Sequence, residues 1–341
     1  MTRLGVSLCV LMLAQPTYSH HSSVGIYDME RNLEIEGVVT SVRWQNPHAS
    51  YTVDVLDENG EAVEWFVETG SVSALRLRGL EPDIVEVGDQ VRFAGEASLR
   101  GRAEMFARNL LLANGQEALL SARSEPRWPE GLSGNLFTPP VDEARGEEAR
   151  RSATGIFRVW ATVLGDPDSF PLYREGVYPL TESARELKAQ WNPRTSPYLG
   201  CGQKGAPYVM TTVYPLEFVR QGDDILLRLE EADVERLINM NASSSASLDT
   251  YSLRGYSTGR WEGETLIVET EKIDSPYFYG DGTPQSRAIQ LTEHFWLNEA
   301  EDRLNYRLFV TDPETFTEPL EFTRYWAWRP DLRVESYNCV E

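Results

Sequence analysis

The sequence predicts a mainly all-β protein built in two parts. Three observations predict it. Short β-branched runs recur through the 341 residues, punctuated by Gly, Asn and Asp turns. Helical periodicity is confined to two brief stretches. A segment rich in proline and charge separates two strand-dense regions.

The first element is not a strand. Arg3 precedes an apolar run at 4–14 (LGVSLCVLMLA), too short for a bilayer helix, which needs about 20 residues. Gln15-Pro16 breaks the run, and Thr17 and Ser19 supply small residues at the third and first positions before a cleavage point. This is the pattern of a signal peptide over 1–19, favoured over a buried N-terminal helix, and it predicts export to the periplasm or the medium. A cut after Ser19 makes His20-His21-Ser22 the start of the mature chain. Cys9 leaves with the leader, so Cys201 and Cys339 remain, and a disulfide between them is expected in an oxidising compartment.

Strand signals follow at 33–44, 49–56 and 62–69, with Asp57-Glu58-Asn59-Gly60 as a hairpin turn. Residues 71–78 read as a short helix capped by Ser71. Strands at 90–97 and 105–113 complete the set. Five strands with a helix between the third and fourth is the order of an OB-like five-stranded barrel, and Gly37 allows the first strand to bend. Many OB barrels bind oligonucleotides, but 33–120 holds about twice as many acidic as basic residues, which excludes a phosphate groove.

Residues 121–154 carry Pro126, Pro129 and Pro139-Pro140, then DEARGEEARR, and read as a linker. Beyond it, 155–160 (GIFRVW) resembles the opening of lipocalin-like barrels. A helix is expected at 181–191 behind a Thr181 cap. Strands are expected at 213–219, 225–230, 256–261, 265–271, 288–297, 304–311, 320–328 and 332–337. The second part is therefore expected to be a lipocalin-like antiparallel barrel or a sandwich. The expected organisation is a leader at 1–19, an OB-like domain at 20–120, a linker at 121–154 and an antiparallel barrel at 155–341.

The chain carries a net charge of −21, and loss of Arg3 adds one more negative unit. Such a surface repels nucleic acid and suits cationic partners, metals among them. No phosphate loop, dinucleotide fingerprint, nucleophile elbow or Cys-His dyad is present, so no nucleotide cofactor is expected.

Only four histidines occur, and two are adjacent at the expected mature terminus. The α-amine and ring of His20 form a chelate; His21 offers its ring or backbone nitrogen, and His48, in Trp44-Gln-Asn-Pro-His48, a further imidazole. Nitrogen ligands in tetragonal geometry suit Cu(II). The competing reading is a solvated terminus with His48 bonded in its loop. His294 lies on a strand in Thr292-Glu-His-Phe-Trp296, either as a general base or as an ordinary hydrogen-bonded histidine. Trp160, Trp261, Trp296, Tyr325, Trp326 and Trp328 either fill the second core or line a pocket for an apolar small molecule. The acidic pairs Asp223-Asp224 and Glu230-Glu231 read as solvated turn residues.

The stretches HHSSVGIYD, LEIEGVVTSVRWQNPHASYTVDV, VEWFVETGS and SALRLRGL resemble a family of secreted bacterial proteins of uncharacterised function, over roughly 20–115. Its mature chains begin His-His-Ser and carry a later Asn-Pro-His, so the resemblance implies one motif of His20, His21 and His48 and supplies no reaction. The second part, through Tyr214-Pro-Leu-Glu-Phe-Val-Arg-Gln-Gly-Asp and Gly259-Arg-Trp-Glu-Gly-Glu-Thr-Leu-Ile-Val-Glu-Thr270, resembles another uncharacterised secreted domain. Where relatives often carry histidine, this chain has Tyr256 and Gln285.

Two functional classes follow. One is an exported binding protein for a metal, with copper the first candidate, and for an apolar small molecule. The other is an enzyme, performing either copper-dependent oxidation at His20 or acid–base chemistry of isomerase, cyclase or hydrolase type around His294. A purely structural interaction module would need neither metal nor pocket. No membrane-spanning segment is expected in the mature chain.

Overall fold

The computed structural model describes residues 26–122, 124–128, 142–169, 178–241 and 250–340. The leader, His20 and His21 lie outside the described residues.

The first part folds as β1 (Tyr27–Arg43), β2 (Ser50–Leu56), β3 (Ala62–Glu68), β4 (Gln90–Ser98), β5 (Glu104–Leu112) and β6 (Glu117–Leu119). The sheet order is β3-β2-β1-β4-β5-β6, and a parallel pairing of β3 with β5 closes five strands into the OB-like barrel. Helix α1 (Val72–Leu77) sits between β3 and β4, with the Ser71 hydroxyl accepting from the Ala74 N–H at 3.2 Å. Strand β1 is long because it serves two neighbours. Its first part pairs with β4 and its second with β2, and the changeover falls at Val38, which faces both Gln90 and Asp54. Gly37 lies at that corner, where a Cβ would come within 2.2 Å of the Asp54 carbonyl oxygen. Val53, Val67, Phe93 and Met105 fill the barrel.

Within the segment read as a linker, α2 (Glu143–Ser152) forms behind an Asp142 cap and buries only Gly146. A helix without an apolar stripe leaves no 3.6-residue signal to read.

The second part is a closed barrel of nine strands, not a sandwich. It is built from β7 (Val159–Ala161), β8 (Leu216–Gln221), β9 (Asp224–Leu229), β10 (Val234–Asn239), β11 (Tyr256–Glu262), β12 (Thr265–Glu271), β13 (Gln290–Leu297), β14 (Arg303–Thr311) and β15 (Leu320–Trp328). Helix α3 (Glu182–Ala189) follows Thr181, whose hydroxyl accepts from the Ala184 N–H. The expected antiparallel barrel needs one correction: β10 and β11 pair in parallel. Strand β10 escaped the sequence reading because Arg236 stands between Val234 and Ile238 on the buried face, which hides the alternation. The strand expected at 332–337 is instead an extended tail, held at Tyr337 by the Asp233 carboxylate.

The interior of this barrel is packed. Trp160, Leu227, Phe295, Tyr306 and Trp326 are each at most 1% exposed. A polar chain runs through it. Arg236 donates to both Glu293 oxygens at 3.1 and 2.5 Å, and the Tyr306 hydroxyl donates to Glu293 at 2.8 Å. Thr270 accepts from Arg236 at 3.3 Å and lies 2.9 Å from the Ser257 hydroxyl. Among the described residues no helix is long and apolar enough to cross a membrane.

Candidate functional site

The barrels meet at a latch centred on one residue. Asn46 ends the first hairpin arm and is buried. Its amide donates to the Tyr337 carbonyl at 2.7 Å, its side-chain oxygen accepts from the Val72 N–H at 3.0 Å, and its own carbonyl accepts from the Val340 N–H at 3.1 Å. Arg76, on α1, reaches Glu230 of the second barrel at 3.3 Å. Glu230 also accepts from the Glu335 N–H at 3.0 Å. Burial raises the Glu230 carboxyl above its ordinary range, while Arg76 pulls the other way.

Behind the latch lies an open cleft of about 690 Å³, counted to its mouth. The part of it that a water-sized sphere can occupy is about 130 Å³, below the about 300–1,000 Å³ of drug-sized ligand sites. One wall is Pro47 and His48 from the β1–β2 connection. The opposite wall comes from four separate stretches of the second part: the run from Trp191 to Tyr214, the Glu231-Ala232 corner between β9 and β10, Gly280 in the β12–β13 connection, and Tyr337 on the tail. The Cys201–Cys339 disulfide, with its sulfurs 2.03 Å apart, ties the tail to this wall, and Cys201 lines the cleft.

The corner is formed by Ala232 and Asp233, both with positive φ, at 52° and 51°. It folds Glu231 inward, so the carboxylate read as a solvated turn residue is only 7% exposed. Lys204 donates to Glu231 Oε1 and lies 4.9 Å from the centre of the Tyr208 ring. Glu231 Oε2 is buried and accepts no hydrogen bond among the described residues. Burial lowers the Lys204 ammonium, but Glu231 and the facing phenols outweigh it and hold the group charged, above its ordinary value.

Four tyrosines also line the cleft. Tyr198 and Tyr208 meet edge to face with ring centres 5.3 Å apart, as do Tyr214 and Tyr337 at 5.5 Å. The Tyr214 and Tyr337 hydroxyls are 3.3 Å apart, and the Tyr198 hydroxyl is bonded to Ser275 at 2.8 Å. Among the described residues the Tyr208 hydroxyl has no hydrogen-bond partner. Burial pushes the Tyr198, Tyr208 and Tyr214 phenols up, so all three remain protonated donors at neutral pH. Gly280 makes room for Tyr208, since a Cβ there would come within 2.2 Å of the phenol oxygen.

His48 is held from behind. Its Nδ1 lies 3.0 Å from Glu68 Oε1, its ring meets Phe106 edge-on at 5.7 Å, and the buried Tyr27 hydroxyl donates to Glu68 Oε2 at 2.6 Å. A carboxylate on one imidazole nitrogen orients the ring and its opposite nitrogen.

The other residues singled out in the sequence lie elsewhere. His294 is on the outer face of β13, against Phe309 at 5.5 Å, while its neighbours Glu293 and Phe295 face the core. Glu293, Arg236 and Tyr306 lie inside the barrel, whereas His294 does not. The six aromatic rings are not gathered into one cavity. Trp160 and Trp326 are core, and Trp328 packs against that core. Trp261 is 43% exposed. Trp296 is partly exposed beside Arg307, and Tyr325 is covered on the outer face by Asp166 and Arg303. Strand alternation assigns neighbouring rings to opposite faces, so a list of aromatics along one strand is not a lining. Among the described residues no group of three or more His, Cys, Asp or Glu side chains is placed to hold a metal.

Residues 8–106 match a family of unknown function (DUF6152), a little under a third of the chain. A search of curated proteins finds no match.

Proposed function

We propose that this is an exported binding protein whose small-molecule site is the cleft between the two barrels, rather than the interior of the second. One observation carries the reading. Glu231 Oε2 is a buried acceptor with no partner, in a cleft otherwise walled by rings and donors. An unmatched buried acceptor costs about 1–3 kcal/mol, which a ligand donor recovers. The even cysteine pair and the leader pattern support export.

The test is a ligand-observed NMR screen of small polar metabolites on the processed protein, repeated on Gly280→Ala. The added methyl displaces the Tyr208 phenol, which is the free end of a side chain, so the fold persists while the cleft changes shape. Hits should weaken at least ten-fold in the variant, and crystals soaked with them should show density between His48 and Glu231. Hits that bind Gly280→Ala equally well, with density elsewhere, would refute the reading.

A second reading is favoured by the carboxylate behind His48. Glu68 holds the ring in the manner of a metal-ligand histidine, which supports His48 as the third nitrogen of a copper site with His20 and His21. Signal cleavage would expose the amine that completes it. Titration with Cu(II), followed by electron paramagnetic resonance, should give a nitrogen-rich tetragonal spectrum. One alanine added before His20 should abolish that spectrum. Unchanged binding in the extended chain would leave His20-His21 as a solvated terminus.

A further inference from the structure

The cleft carries a statement about the class of its occupant, which rests on the reading of the cleft as the ligand site. We infer that it binds a neutral, hydroxylated ring, a saccharide unit, laid against the aromatic wall with a hydroxyl donated to Glu231 Oε2.

The charge balance restricts the ligand first. Lys204 and Glu231 are in direct contact, so the site as a whole is neutral. An anion drawn to Lys204 meets the bare Glu231 oxygen, and a cation drawn to that oxygen meets the ammonium. The strongly negative protein repels anions at long range as well. A zwitterion could satisfy both charges only by separating a pair that is already made.

Hydrogen-bond chemistry restricts it next. The wall presents one unmatched buried acceptor, Glu231 Oε2, beside a donor, the ammonium of Lys204, whose side chain is 21% exposed, and a Tyr208 hydroxyl able to play either role. An apolar ligand would exclude water and leave the carboxylate oxygen stranded. A hydroxyl both donates and accepts, so it serves Glu231 without breaking the Lys204 contact. Adjacent hydroxyls on a ring repeat that ability at the spacing of neighbouring wall groups.

The shape of the wall completes the argument. Trp191, Tyr198 and Tyr208 are partly exposed around the opening, with Gly200, Gly202 and Gly280 between them. The glycines add no side chain between these partly exposed rings, an arrangement that suits a flat ligand with one face of C–H groups and a rim of hydroxyls. Aromatic surfaces attract polarised C–H groups through their electron-rich faces, as they attract cations.

The experiment titrates glucose, galactose, N-acetylglucosamine and cellobiose, each alone, into the disulfide-intact protein. Heat is followed by calorimetry and Trp191 by its emission, with Trp191→Phe as the reference. At least one sugar should bind saturably. Glu231→Gln, which turns the accepting oxygen into an amide of the same shape, should weaken it at least ten-fold, whereas His294→Gln on the outer face should leave it unchanged. Choline and free alanine serve as cationic and zwitterionic comparators. If none of the sugars binds, or if Glu231→Gln binds them as well as the native protein, the inference is overturned. Should a comparator or a metabolite from the screen bind and respond to Gly280→Ala, only the ligand class falls. Should nothing respond to Gly280→Ala, the cleft reading falls with it.

Discussion

Replacing Glu293 with alanine should cost about 3–5 kcal/mol of stability, the expected loss when one partner of a buried ion pair is removed. The two side chains are 1% and 0% exposed, and Arg236 spends two of its nitrogens on the two carboxylate oxygens. Alanine leaves a guanidinium in the packed barrel with Thr270 as its remaining polar neighbour. Water enters, or the arginine swings out and opens a cavity beside Phe295 and Tyr306. Removing both charges is a different matter. Arg236→Met with Glu293→Leu replaces the pair by apolar volume and should restore most of the loss, because two desolvation penalties vanish together. Tyr306→Phe should cost about 1 kcal/mol, since Glu293 keeps its arginine. Urea unfolding followed by tryptophan emission measures all three. A Glu293→Ala protein within 1 kcal/mol of native would mean that the pair is more hydrated than its burial indicates.

The disulfide should give an effect of similar size. Cys201 and Cys339 are 138 residues apart, and the chain-entropy relation for a loop of that length gives about 5 kcal/mol as an upper figure. Cys201→Ser/Cys339→Ser, or reduction of the native protein, should lower the unfolding midpoint by a large part of that. The structural signature should be local. The tail carries Tyr337 into the cleft and offers its backbone to Asn46, Asp233 and Glu230. Freed of the disulfide, residues 332–340 should exchange their amide hydrogens far faster than β13 or β14. Intact mass should show the native form two hydrogens lighter than the reduced one. Two alkylatable thiols in the native protein, or an unchanged midpoint on reduction, would refute the clamp.

The first barrel was readable because its instructions are local. Alternation marks each strand, Ser71 marks the helix start, Asp57 to Gly60 marks the hairpin, and Gly37 marks the corner. Most of the second barrel was readable as strands, β10 excepted, but not as a closed pairing, since the parallel contact of β10 with β11 has no signal in either strand. The cleft was least legible. Its walls come from residues 47–48, 191–214, 231–232, 280 and 337, and no stretch contains enough of them to form a motif. Of these, His48 stood out through its motif, whereas Asn46 two residues earlier, which with Arg76 joins the barrels, did not. Glu230-Glu231 was correctly placed at a turn and wrongly read as solvated, because the two positive-φ residues that follow turn the corner inward. His294 drew attention by rarity, yet strand alternation gives it to the outside.

Strand β7 is three residues long and meets β15 through only two register pairs, Ala161 with Ala327 and Trp160 with Trp328. Its other edge meets β8 through two more. The seam between β13 and β14 runs for eight pairs, from Gln290 with Thr311 to Leu297 with Leu304. A closed barrel under load parts at a short seam; β10 with β11 is as short, but β7 is the strand through which the chain enters from α2. Tension arriving along that entering segment is therefore delivered to one of the weakest lines of the wall. The first rupture uncovers Trp160 while the long seams still hold, so the molecule has a built-in mechanical fuse at the point where its two halves are tethered.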